Sequence, residues 1–251
     1  MQTYFILKLF PWMIFLSFEI IYFYPKFYLW AFIIANLLII YAVARVLKNR
    51  ARAKEYWFAF ILPIIFPNSA LFFSFLLDKK YIHLFILLSA IFIHYYFRQI
   101  YDYFYQEGEK DSWKIGNFTY YSGLLSFFFT ASIVYGLQSY LNISVAKLIF
   151  LIIAVCFLVS FQYLKFYQIP FRESALYLFI SCVIMTEIGW IGSFFPLKFF
   201  ITGAIVSIIY YLVSGLLKFY LLGKLNKIII RNHILVGLLS LIIILLTSRW
   251  V

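Results

Sequence analysis

Acidic and metal-binding side chains are scarce in this sequence. Nine of its 251 residues are Asp or Glu, three are His and two are Cys. No two of the histidines, His83, His94 and His233, are three or four residues apart, so they cannot form the paired ligand sets that metal-binding helices use. His83 and His94 are eleven residues apart, about 16 Å along a helix, too far to share one ion. The cysteines, Cys156 and Cys182, lie inside apolar runs and read as small hydrophobes, which excludes a disulfide framework. No P-loop, H-E-x-x-H or G-x-S-x-G motif is present. The one acidic cluster, Glu107, Glu109 and Asp111, surrounds Lys110 beside Gly108 and reads as a hydrated loop. These absences call for no cofactor and no metal, and they lean against an enzyme.

Charge is equally sparse, at 12% of residues against about 25% in soluble domains. In its place stand 66% hydrophobic and 24% aromatic residues, with a mean hydropathy of +0.97. Apolar runs repeat from end to end, and only lipid solvates such a surface. The expected fold is all-α, a polytopic transmembrane bundle with helices near 4–24, 27–46, 57–77, 81–100, 118–140, 146–164, 174–194, 198–219 and 229–248. Short links at 25–26, 78–80, 141–145 and 195–197 make four antiparallel hairpins and leave a ninth, C-terminal helix. The whole chain, 1–251, reads as one transmembrane domain. Residues 98–117 form a cytoplasmic loop or helix extension, and 165–174 an inner-side linker interrupted by Pro170. The N-terminus lacks a basic region and a small-residue cleavage site and reads as a retained helix.

The net charge of +12 sits at the ends of apolar runs and forms no groove for nucleic acid. Its natural partners are anionic headgroups of the cytoplasmic leaflet. Fifteen of the Lys and Arg residues fall on one side and six on the other. The positive-inside rule then places the N-terminus inside the plasma membrane and the C-terminus outside. Aligned on the outer lysines Lys26, Lys80, Lys147 and Lys198, the even helices reach their inner bases, Arg45, Arg98, Lys165 and Lys218, after 18 to 20 residues. Ala35, Ser89, Cys156 and Ser207 lie nine residues after each outer lysine. Two readings fit: an internal hairpin repeat, or helices that each need snorkelling bases at both ends.

Ionisable groups inside a membrane mark function by default. Glu187, nine residues before Pro196 and followed by Gly189 and Gly192, is the first candidate. It either binds a proton or cation or is a protonated Glu bonded to a neighbouring helix. Glu19 is a second, nearer the surface. Pro63 and Pro67 remove backbone donors from the third helix, and Asn68 follows them, a pattern that either lines a site or makes an ordinary kink. Asn36 fits either a site or a helix–helix hydrogen bond. The leading expectation is a small carrier of a proton, cation or small solute. The alternatives are a membrane scaffold with a protein partner or a second copy, and a lipid-modifying enzyme whose polar groups would converge at one depth on the inner side.

Overall fold

The computed structural model describes residues 2–47, 57–105 and 112–248. Four bases of the inner cluster (Lys48, Arg50, Arg52 and Lys54) and the acidic group Glu107, Glu109 and Asp111 lie outside the described residues. Within them there are nine α-helices and no strand: α1 (Gln2–Phe23), α2 (Tyr28–Leu47), α3 (Ile61–Phe75), α4 (Ile82–Tyr105), α5 (Ser112–Leu141), α6 (Val145–Phe166), α7 (Phe171–Gly192), α8 (Phe199–Leu221) and α9 (Lys227–Thr247). An all-helical outcome follows from the solvent, because hydrocarbon offers backbone groups no partner and a helix satisfies them internally. Eight of these segments are long and apolar enough to cross a membrane, and the shorter apolar stretch of α1 is Leu9–Phe23. The protein is a multi-pass, α-helical integral membrane protein.

The chain divides into two compact units, Met1–Thr119 and Tyr120–Val251, with the division inside α5. In unit 1, α1 packs on α2 and α4, and α3 packs on α4. Its interior holds Ile14 and Phe18 of α1, Ala35 and Ile39 of α2, and Ile93 and Phe97 of α4. Phe66 of α3 stacks on Phe92 of α4 with centroids 4.0 Å apart, and the Tyr96 hydroxyl donates to the Ala59 carbonyl. In unit 2, α6 packs on α7, α7 on α8 and α8 on α9. The hydroxyl of Tyr135, on α5, donates to the Gly189 carbonyl of α7 at 2.9 Å.

Three boundaries depart from expectation, each for a local reason. Helix α3 begins as a 3-10 turn at Trp57–Phe60 and then runs unbroken through Pro67. Pro63 lies in its first turn, where a missing N–H costs nothing, so only Pro67 removes an internal bond. The mid-membrane interruption expected from the two prolines is therefore one lost donor. Helix α5 starts at Ser112, six residues before the expected 118, and helix α7 at Phe171, three before the expected 174. Pro170, extended at ψ 140°, sets the start of α7.

Helices α6 and α8 end in the same way. Ile169 N–H bonds to the Leu164 carbonyl at 3.1 Å and Lys224 N–H to the Phe219 carbonyl at 3.0 Å, each across a residue with positive φ. This closure favours glycine at the left-handed position, and α8 has Gly223 there at φ 64°. Helix α6 has Gln168 at φ 61° instead. Gln168→Gly is expected to stabilise the protein by about 1 kcal/mol, the penalty a Cβ carries in that region. Reversible unfolding in mixed micelles checks this, and a destabilised variant would contradict it.

Candidate functional site

The sequence candidates do not assemble into one site. Asn36 and Asn68 face each other across α2 and α3. Asn68 Nδ2 donates to Asn36 Oδ1 at 2.7 Å, and Asn36 Nδ2 donates to Asn68 Oδ1 at 3.3 Å and to the Phe32 carbonyl at 2.9 Å. Two amides locked in a reciprocal pair are a helix–helix clasp.

Glu19 of α1 meets His83 at the start of α4, with Nδ1 2.9 Å from Oε2 and 3.0 Å from Oε1. The Glu19 side chain is 12% exposed and that of His83 42%. The Tyr22 ring lies 3.9 Å from the imidazole, and the Lys79 ammonium 4.9 Å above the Tyr22 ring. This cluster fastens α1 to α4. His83, set aside in the sequence for want of a second metal ligand, is the carboxylate's partner.

Glu187 is exposed on the outer face of α7, between Val183 and Trp190, which are themselves 40% and 47% exposed. Among the described residues it has no hydrogen-bond or ion-pair partner. It is five residues before the last residue of α7, about 7–8 Å along the axis.

What the sequence did not disclose is Lys218. One turn from the end of α8 it reads as a snorkelling base, yet it is 2% exposed. Its ammonium lies 3.9 Å from the centroid of the Tyr120 ring and 4.7 Å from that of Phe219, with Tyr121 and Tyr167 at 5.8 and 5.9 Å. Burial pushes the Tyr167 phenol above its usual range, so that group stays neutral and does not balance the ammonium. The only carboxylates in unit 2 are Glu173 and Glu187, and both are exposed. Among the described residues no carboxylate reaches Lys218. A desolvated cation–π contact is worth about 2 kcal/mol. Burying an ion costs several, so the rings alone do not balance the charge.

His233 stands beside this group. Its ring stacks on Tyr211 of α8 at 4.2 Å, and its Nδ1 lies 3.2 Å from the Tyr211 hydroxyl. Nε2 is buried and has no hydrogen-bond partner among the described residues. A Cβ built on Gly215 would collide with that Nε2 and sit 2.8 Å from the Tyr120 hydroxyl, so both atoms lie over the bare glycine, one turn before Lys218. When the Tyr211 hydroxyl donates to Nδ1, Nε2 carries the proton and becomes a donor. The Tyr120 hydroxyl donates to the Tyr211 carbonyl at 3.3 Å, so Lys218 and His233 offer the donors here, from two helices. The legible signal was the pairing of Gly215 with a histidine on the next helix and the tyrosine pairs 120–121 and 210–211.

The opposite end of unit 2 holds a neutral cleft of about 360 Å³ whose lining includes Tyr135, Gln138, Asn142, Ser193 and Thr202. Tyr135 is fifteen residues beyond Tyr120 on α5, about 22 Å along the helix. Cys156 and Cys182 are both free thiols. Among the described residues no group of three or more His, Cys, Asp or Glu is placed to hold a metal ion. No family model, curated protein or solved structure matches the chain.

The amide clasp makes the first test of these contacts. Replacing Asn36 or Asn68 by Leu singly strands the other amide, whereas replacing both removes the need. A double-mutant cycle is expected to show a coupling of about 0.6–1.7 kcal/mol in micellar unfolding, and additive single effects would contradict the pairing.

Proposed function

We propose that the protein is a small carrier whose solute site lies in unit 2 and takes an anion. The carrying observation is the Lys218 ammonium, 2% exposed in a membrane-spanning helix with aromatic rings around it and no carboxylate partner among the described residues. An intramembrane charge is retained where it meets a counter-charge during function. His233 Nε2 adds a hydrogen-bond donor that fits an oxyanion lone pair. A proton or cation carrier draws less support, since Glu19 is engaged by His83, Asn36 and Asn68 by each other, and Glu187 faces outward.

The reading is tested in phosphatidylcholine proteoliposomes with radiolabelled inorganic phosphate as probe. Uptake above protein-free vesicles is expected, falling about tenfold to a hundredfold in Lys218→Met, the loss of one charged hydrogen bond. Equal uptake by variant and wild type, or none by either, overturns the carrier.

A second reading, assembly with a membrane partner or a second copy, is favoured by Glu187 alone. A carboxyl on an apolar face gains from a donor on another chain. The mass of the particle extracted in mild detergent is expected to exceed that of one 29.9 kDa chain with its micelle and to fall to that value in Glu187→Leu. An unchanged mass would sink this reading.

A further inference from the structure

A second feature adjoins the Lys218 cluster. An open groove of about 440 Å³ runs along α5, α8 and α9 and is lined mainly by apolar side chains. At one end stand Tyr121 and Tyr211; at the other, Phe128, Ala204 and Ile244, with Ser240 between. The direction is the same on all three helices. Position 121 to 128 on α5, 211 to 204 on α8 and 236 to 244 on α9 each advance seven or eight residues, about 10–12 Å, away from the tyrosine end. The groove is long enough for part of an acyl chain and opens sideways on the helices, as a lipid requires.

Its tyrosine end meets the charge. The Tyr121 ring is 5.8 Å from the Lys218 ammonium, and Tyr211 holds His233. Lys224 and the exposed Lys227 and Arg231 lie near the same ends of α8 and α9, the end that the lysine and arginine count assigns to the cytoplasmic leaflet. A cationic end with donors and an apolar trough leading from it are complementary to one molecule, a phospholipid with a net negative headgroup.

We infer that the groove between α5, α8 and α9 is a binding site for an anionic phospholipid, its chain along Phe128, Ala204 and Ile244 and its phosphate drawn toward Lys218 and His233. The inference rests on the reading of Lys218 as an anion's counter-charge and names the anion's class. It accounts for two features together: a buried ammonium without a carboxylate, and a helix, α9, whose membrane-spanning window is only 6% buried. In this arrangement α9 is held by α8 on one side and by the lipid chain on the other.

The test uses the full chain in mixed micelles containing equal phosphatidylglycerol and phosphatidylcholine, with retained lipid quantified by native mass spectrometry. Wild type is expected to retain phosphatidylglycerol about fivefold over phosphatidylcholine, the factor one basic residue supplies near a charged lipid. Lys218→Met is expected to lose that preference while still retaining lipid. Ala204→Phe and Ser240→Phe, which fill the trough from two different helices, are expected to lower retention of both lipids. Equal preference in wild type and Lys218→Met, or undiminished retention in both groove variants, overturns the inference. The two proposals fail separately. Phosphate uptake through Lys218 without phosphatidylglycerol preference overturns the lipid site and keeps the small-anion carrier. Preference without uptake supports the lipid site and removes the carrier.

Discussion

Hydrocarbon supplies no hydrogen bonds and no counter-ions, and the rest of this structure follows from that constraint. Backbone groups comply by forming helices almost everywhere that residues are described. Side chains comply one by one. Several serines and threonines turn back on their own helices, as Ser126 does to Ser122 and Thr130 to Ser126. Asn36 closes on Asn68 and Glu19 on His83. Against that background Glu187, outside α7, and Lys218, inside unit 2, stand apart for opposite reasons. Glu187 has access to whatever surrounds the protein. Lys218 has been withdrawn from it.

The polar interior of unit 2 sharpens the contrast. Ser160 shares a hydrogen bond of 2.8 Å with Tyr210, and Tyr210 stacks on Phe127 at 4.2 Å. Tyr120 and Tyr163 meet edge to face at 5.3 Å. The neutral cleft at one end and the Lys218 group at the other thus terminate a core that carries hydroxyls along its length. Unit 1 is built differently: its polar pairs bridge neighbouring helices, and its interior around Phe66 and Phe92 is aromatic.

Helix number and the packing of α1 on α2, α3 on α4 and α7 on α8 were legible in the sequence, because apolar run length is dictated by the membrane and short links join neighbours. Facing was not. Helix α7 is apolar nearly all round, so no periodicity could say that Glu187 points outward, and depth alone made it the first candidate. Lys218 misled for the opposite reason. A lysine one turn from a helix end ordinarily extends toward water, but here tyrosines brought over it by α5 and the turn after α6 cover it together with Phe219. The Glu19–His83 pair spans two helices that are not adjacent in sequence. The prolines of α3 fitted either a site or a kink because the sequence did not show that Trp57–Phe60 form a 3-10 turn, which leaves Pro63 in the first turn of the α-helix that follows.

The central claim is that Lys218 is neutralised by a ligand's anionic group, and an experimental density map of the full chain in nanodiscs containing phosphatidylglycerol tests it most directly. The account predicts a phosphate within hydrogen-bond distance of the Lys218 ammonium, with chain density running toward Ala204 and Ile244. A map in which the ammonium instead pairs with Glu173, Glu187 or another protein carboxylate, with the groove empty, would contradict it.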